Sequence, residues 1–126
     1  MTDFDIRAAR DGDVLVAVFS GESNARNSRE MARRYLELLK ASGLKKVLAD
    51  LSALEGRLSA GETYFLLRDL PLKPVPHDVK TAVLEDERWR EYASFFESTS
   101  ANAGVPLRCF FDRAAALAWL REPGPG

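Results

Sequence analysis

The sequence predicts an α/β domain in the order β-β-α-β-α-β-α-β-α, with a mostly parallel central sheet, an antiparallel first strand and helices packed on the sheet. Three observations carry this expectation. Short apolar runs alternate with helix-like segments from the second run onward, an order that demands right-handed crossovers and parallel pairing. An Asp-Gly pair separates the first two runs, as in a tight hairpin. The 126 residues, 46% hydrophobic and 29% charged, suffice for one buried core.

Phe4 to Ala9 and Val14 to Phe19 form the hairpin, joined through Arg10-Asp11-Gly12-Asp13. The second run lacks polar alternation, the pattern of a central strand covered on both faces. A helix follows, with Asn27 and Glu30 spaced as a capping box, Met31, Tyr35, Leu38 and Leu39 on its inner face, and Gly43 as its terminator. Arg33 and Glu37 on the outer face are spaced for a weak ion pair.

Val47 to Leu51 reads as the third strand, followed by a loop of nine to ten residues and a second helix over about Ala60 to Asp69. Pro71, Pro74 and Pro76 stop that helix. Val79 to Leu84 is the fourth strand, and Glu87 to Ala103 a helix with Trp89, Tyr92, Ala93 and Phe96 inward. Leu107 to Phe111 is the last strand, and Asp112 caps a closing helix that turns Leu117 and Leu120 to the core. A single domain is expected over residues 1–121, with a flexible Pro/Gly tail over 122–126.

Composition excludes several classes of function. Lys and Arg number 18 against 19 Asp and Glu, so no net positive field favours nucleic acid. The lone Cys109 precludes an intramolecular disulfide or a thiolate zinc cluster and suits a reducing compartment. Asp3, Asp5, Arg7 and Arg10 interrupt the first ten residues, and no stretch approaches the roughly 20 apolar residues of a membrane span. A cytoplasmic place is the expectation, with neither an integral membrane segment nor a cofactor.

Asp50-Leu51-Ser52-Ala53-Leu54, Leu58-Ser59-Ala60-Gly61, Phe95-Phe96-Glu97, Asn102-Ala103-Gly104 and Ala118-Trp119-Leu120 occur in this order. Together with the element order they resemble the STAS-like (anti-sigma-factor-antagonist-like) superfamily from about Phe4 to Leu120, and more closely its small bacterial STAS/Sec14-like branch of unassigned function. The resemblance implies an Asp-Ser-Ser-Gly type motif between the third strand and second helix, whose phosphorylation controls partner binding. Here Leu58 replaces the acidic residue and Ala60 one serine, leaving Ser59 as the candidate phospho-switch or anion contact. The related lipid-carrying fold implies an apolar small ligand as an alternative.

The residues themselves offer little catalytic chemistry. Ser59 with Glu62 is a capping box, and a helix amino end also favours anions. His77 is the sole histidine and precedes the fourth strand, on the opposite rim of the sheet from Ser52 and Ser59, so it cannot activate either serine. Cys109 sits mid-strand like a small buried hydrophobe. Asp50, Glu55, Asp86 and Asp112 share a rim without calcium-loop spacing, and no metal site is assigned. Residues 19–24 hold one glycine and an acidic Glu22, unlike a phosphate cradle. Arg26, Arg29, Arg33 and Lys40 form a basic stripe broken by Glu30 and Glu37, without aromatic residues for base stacking.

The second helix is more informative, because Tyr64-Phe65-Leu66-Leu67 carries apolar bulk all round. Leu58, Leu70, Leu72 and Val75 flank it, and Phe95 lies off the main stripe of the third helix. The candidate apolar ligand or partner surface is therefore Leu58, Tyr64, Phe65, Leu67, Leu70, Phe95 and Phe96. The expectation is a non-enzymatic module binding a protein partner, or a second copy of itself, through this region. The alternative is a carrier or sensor of a lipid or other apolar ligand held between helices and sheet.

Overall fold

The computed structural model describes residues 4–69, 78–105 and 107–123. Strand β1 (Phe4–Asp11) pairs antiparallel with β2 (Val14–Glu22), from Phe4 opposite Gly21 to Asp11 opposite Val14. Gly12 turns the hairpin with φ of +60°, a conformation that costs a residue bearing a Cβ roughly 1–2 kcal/mol. From β2 onward each strand runs parallel to its predecessor: β3 (Lys46–Glu55), β4 (Lys80–Leu84) and β5 (Arg108–Phe110). The sheet order is β1-β2-β3-β4-β5.

Because spatial order follows chain order, right-handed crossovers put every connecting helix on one face. Helices α1 (Ala25–Ser42), α2 (Ala60–Asp69) and α3 (Arg90–Asn102) form that layer, and α4 (Arg113–Arg121) packs on the other face. This sandwich explains the unbroken apolar run of β2. Val14 and Val16 meet Leu48, Ala116 and Leu120 on the α4 side, while Ala17 and Phe19 meet Met31, Ala49 and Val83 on the other. Val14, Val47 and Leu48 expose no surface, and each such side chain contributes about 1.5–3 kcal/mol by leaving water.

The expected start of α1 requires correction. Asn24, not Asn27, is the cap: it has extended backbone angles, and its side-chain oxygen accepts from the Asn27 N–H at 2.8 Å. Asn27 is buried and donates its side-chain amide to the Glu22 carbonyl at 3.0 Å, tying the helix to the end of β2. Glu30 is engaged instead by Arg33, which also pairs with Glu37 as the spacing predicts.

The third strand is also longer than its apolar run. It continues to Glu55 because β2 continues beside it, with Ser20, Gly21 and Glu22 opposite Ala53, Leu54 and Glu55. A register shift separates this stretch from the Val18–Asp50 pair, and the Asp50 carboxylate accepts there from the Ser52 N–H at 3.0 Å and from its hydroxyl. The loop to α2 is thus residues 56–59 rather than nine or ten positions. Asp86 caps a 3₁₀ turn (Glu87–Trp89) ahead of α3, and Asp112 caps α4 by accepting from the Ala115 N–H at 3.1 Å. The expectations for Leu70, Leu72, Val75, the three helix-stopping prolines, His77 and residues 124–126 lie outside the described residues. Among the described residues no helix is long and apolar enough to cross a membrane.

Candidate functional site

The β3–α2 loop is anchored by two residues that sequence reading did not select. Gly56 adopts φ of +73°, which favours glycine, and a Cβ there would stand a tight 3.3 Å from the Ser23 carbonyl oxygen. Arg57 then turns inward. Its Nε donates to Glu85 Oε2 at 3.1 Å and its Nη2 to Glu85 Oε1, with side-chain exposures of 4% and 0% for the pair. The same guanidinium donates to the carbonyls of Leu51 at 2.9 Å, Leu54 at 3.0 Å and Gly56, and lies 4.7 Å from the Trp89 ring centroid.

All five guanidinium N–H groups are therefore occupied. Burial raises the Glu85 carboxyl above its ordinary range, against the hydrogen bonds and charge of Arg57, which pull it down. The sequence signal was faint. Glu85 directly follows the apolar β4, and Arg57 stands between Gly56 and Leu58, but nothing in their spacing marks them as partners.

Ser59 sits exposed at the amino end of α2. Its N–H donates to Glu62 Oε1 at 3.0 Å, and its hydroxyl accepts from the Glu62 N–H at 3.2 Å, which completes the reciprocal box. Those bonds hold the Glu62 carboxyl below its ordinary range.

The structure divides the predicted apolar set in two. Tyr64 and Phe65 are each 52% exposed, meet edge to face with centroids 5.5 Å apart, and carry Arg68 over the Phe65 ring. Leu58 and Leu67 are buried instead. With Phe96 they help wall an apolar cavity of about 190 Å³, which also touches Leu66, Thr63 and Tyr92. Phe95 is half-buried against Tyr92, with ring centroids 6.3 Å apart.

The cavity exists because α2 leans chiefly on α3 and α1 instead of lying flat on the strands. Leu66 and Leu67 of α2 share its lining with Ala49 of β3 and Val83 of β4. This void lies beyond what periodicity can report, since its apolar lining residues read individually as core.

Other candidates have structural employment. The Cys109 N–H donates to Glu97 Oε1 at 2.7 Å, and burial together with Glu97 and Glu85 pushes the thiol up to about 12. A thiol so protonated is a poor nucleophile at neutral pH. Ser52 is turned to Asp50, and Asp112 to its helix. Among the described residues, no three His, Cys, Asp or Glu side chains gather as metal ligands.

No family model matches the chain. No curated protein matches it either. Solved structures do. An anti-sigma factor antagonist from Mycobacterium paratuberculosis superposes with a TM-score of 0.68 at 18% identity, over 94% of this chain and 95% of that one. An uncharacterised Shewanella loihica protein with a SpoIIAA-like fold gives 0.59 at 21% identity, over 93% of both chains. The chain has the STAS-like fold.

Proposed function

We propose, from the STAS-like fold and the aromatic pair beside Ser59, that this chain is a non-enzymatic regulatory module engaging a protein partner, or a second copy of itself, through α2. The observation that carries this reading is the exposure of Tyr64 and Phe65, the two large hydrophobic residues exposed among those described. Aromatic side chains of this kind anchor interfaces, because they bury much area at little cost in rotamer entropy. The Mycobacterium paratuberculosis protein is by name an anti-sigma factor antagonist. Action on a protein partner is what the reading carries over from it, along with a bacterial source and a cytoplasmic place.

Ser59 supplies the switch in this reading. A phosphoryl group adds about −1.5 to −2 charges, and at the start of α2 it would meet free helix amides on one side and the Glu62 carboxylate on the other. Phosphorylation there trades the capping box for a new charge beside Tyr64 and Phe65. Sedimentation and affinity capture test the docking role with wild type and the Tyr64→Ser/Phe65→Ser pair. The reading requires an assembly or captured protein that the double variant loses. A monomer capturing the same material as the variant overturns it.

The cavity favours a second reading, in which an apolar small ligand lies between the helices and the sheet. Native mass spectrometry of protein purified without denaturant tests it through co-purified mass.

A further inference from the structure

We infer that the cavity under α2 is a binding site for one compact, uncharged, largely apolar molecule of one or two rings, a ligand class that rests on the second reading above. Size gives the first argument. The cavity measures about 190 Å³. Apolar cavities of about 150 Å³ admit benzene, whereas sites for drug-sized ligands span about 300–1,000 Å³. A two-chain lipid would not be enclosed by this volume; the pocket is half open and shares Ser28, Leu58 and Leu66 with a second pocket at the start of α2.

Charge gives the second argument. Arg57 is the one charged side chain among the described lining residues, and each of its five N–H groups already has an acceptor in Glu85 or in the carbonyls of Leu51, Leu54 and Gly56. An anionic ligand would find no donor there and would face the Glu85 carboxylate behind the guanidinium. A cationic ligand would find no carboxylate in the described wall. Burial raises both lining phenols, Tyr35 to about 12 and Tyr92 above its ordinary value, consistent with surroundings that disfavour negative charge.

The polar features left to a ligand are hydroxyls, those of Ser23, of Tyr35 and Thr81, which bond each other, and of the Thr63–Tyr92 pair. Thr63 Oγ1 and Tyr92 Oη stand 3.3 Å apart and share one hydrogen between them, so the pair keeps one O–H and free lone pairs. Ser28 donates its hydroxyl to the Asn24 carbonyl at 2.6 Å and so offers a ligand only acceptor lone pairs. A neutral ring bearing one carbonyl or hydroxyl matches this wall. A bare hydrocarbon ring fits it as well.

The test uses probes of one size and different charge: benzene and indole, benzoate, and benzylamine, with dodecanol as a long-chain probe. Amide chemical shifts and thermal unfolding are read on the full chain. Benzene and indole are expected to move the amides of Ala49, Leu66 and Phe96 saturably and to raise Tm, with benzoate and benzylamine bound about tenfold or more weakly because an unpaired charge must be desolvated. Ala32→Leu and Val83→Phe, which fill the cavity from α1 and from β4, should abolish those shifts. Equal binding of charged and neutral rings overturns the assignment to uncharged ligands, and preference for dodecanol overturns the compact size, while in both cases the ligand reading survives. If no probe moves the lining amides and a filling variant raises Tm, the space is a packing void and both fall.

Discussion

Arg57 and Glu85, 28 positions apart, bury their charges against each other at the junction of the β3–α2 loop and the end of β4. Both are desolvated, so the pair contributes less to stability than the penalty for breaking it. Arg57→Met should destabilise the protein by about 3–5 kcal/mol, because it strands the Glu85 carboxylate. The double variant Arg57→Met/Glu85→Leu should cost much less. Urea unfolding of the two single variants and the double variant measures the coupling, and additive costs would mean that the two groups act independently.

Ser59 has a measurable structural role whatever binds nearby. Ser59→Ala should cost about 0.5–2 kcal/mol through loss of the acceptor for the Glu62 N–H, and Ser59→Asp should keep most of that stability because aspartate also caps. Thermal unfolding separates them. No loss in Ser59→Ala would show that the box contributes nothing to α2.

Neighbouring positions on α2 should behave in opposite ways. Tyr64→Ser/Phe65→Ser removes half-exposed rings and should change stability by about 1 kcal/mol or less. Leu67→Ala empties a buried site beside the cavity and should cost about 2–5 kcal/mol. Denaturant midpoints check the contrast, and comparable losses would mean that the aromatic pair is part of the packed core in solution.

Alkaline pH should loosen the fold in two stages. Cys109 is raised from 9.0 to about 12 and Tyr35 from 10.0 to about 12, chiefly by burial. The unfolded chain therefore releases these protons first, so the stability held below about pH 9 declines from there to about 12 as the pH rises through the unfolded and then the folded values. Cys109→Ala should flatten the decline just above pH 9. Iodoacetamide should label native protein slowly at pH 8 and unfolded protein quickly, and fast native labelling would contradict the protected thiol.

Much of the fold was legible because it rests on local rules. The unbroken Val14–Phe19 run marked a strand covered on both faces, Gly12 marked the hairpin, Asp112 marked the closing helix, and the Ser59–Glu62 spacing marked the start of α2. The errors arose where a neighbour overruled local pattern. β3 extends through polar Ser52 to Glu55 because β2 offers it partners, and Asn27 yields the cap to Asn24 because its side chain is needed by the Glu22 carbonyl.

By itself, then, the sequence determined the order of elements, the sense of their pairing and the apolar excess of α2, since alternation, helical period, turn residues and crossover handedness act over a few residues or follow from chirality. Only the tertiary structure decided which part of that excess faces solvent at Tyr64 and Phe65 and which part walls a cavity with Leu58, Leu67 and Phe96. The same holds for the burial of Arg57 against Glu85. Burial and ion pairing across 28 positions depend on where three helices settle on one sheet face, and that placement is a property of the whole packed layer.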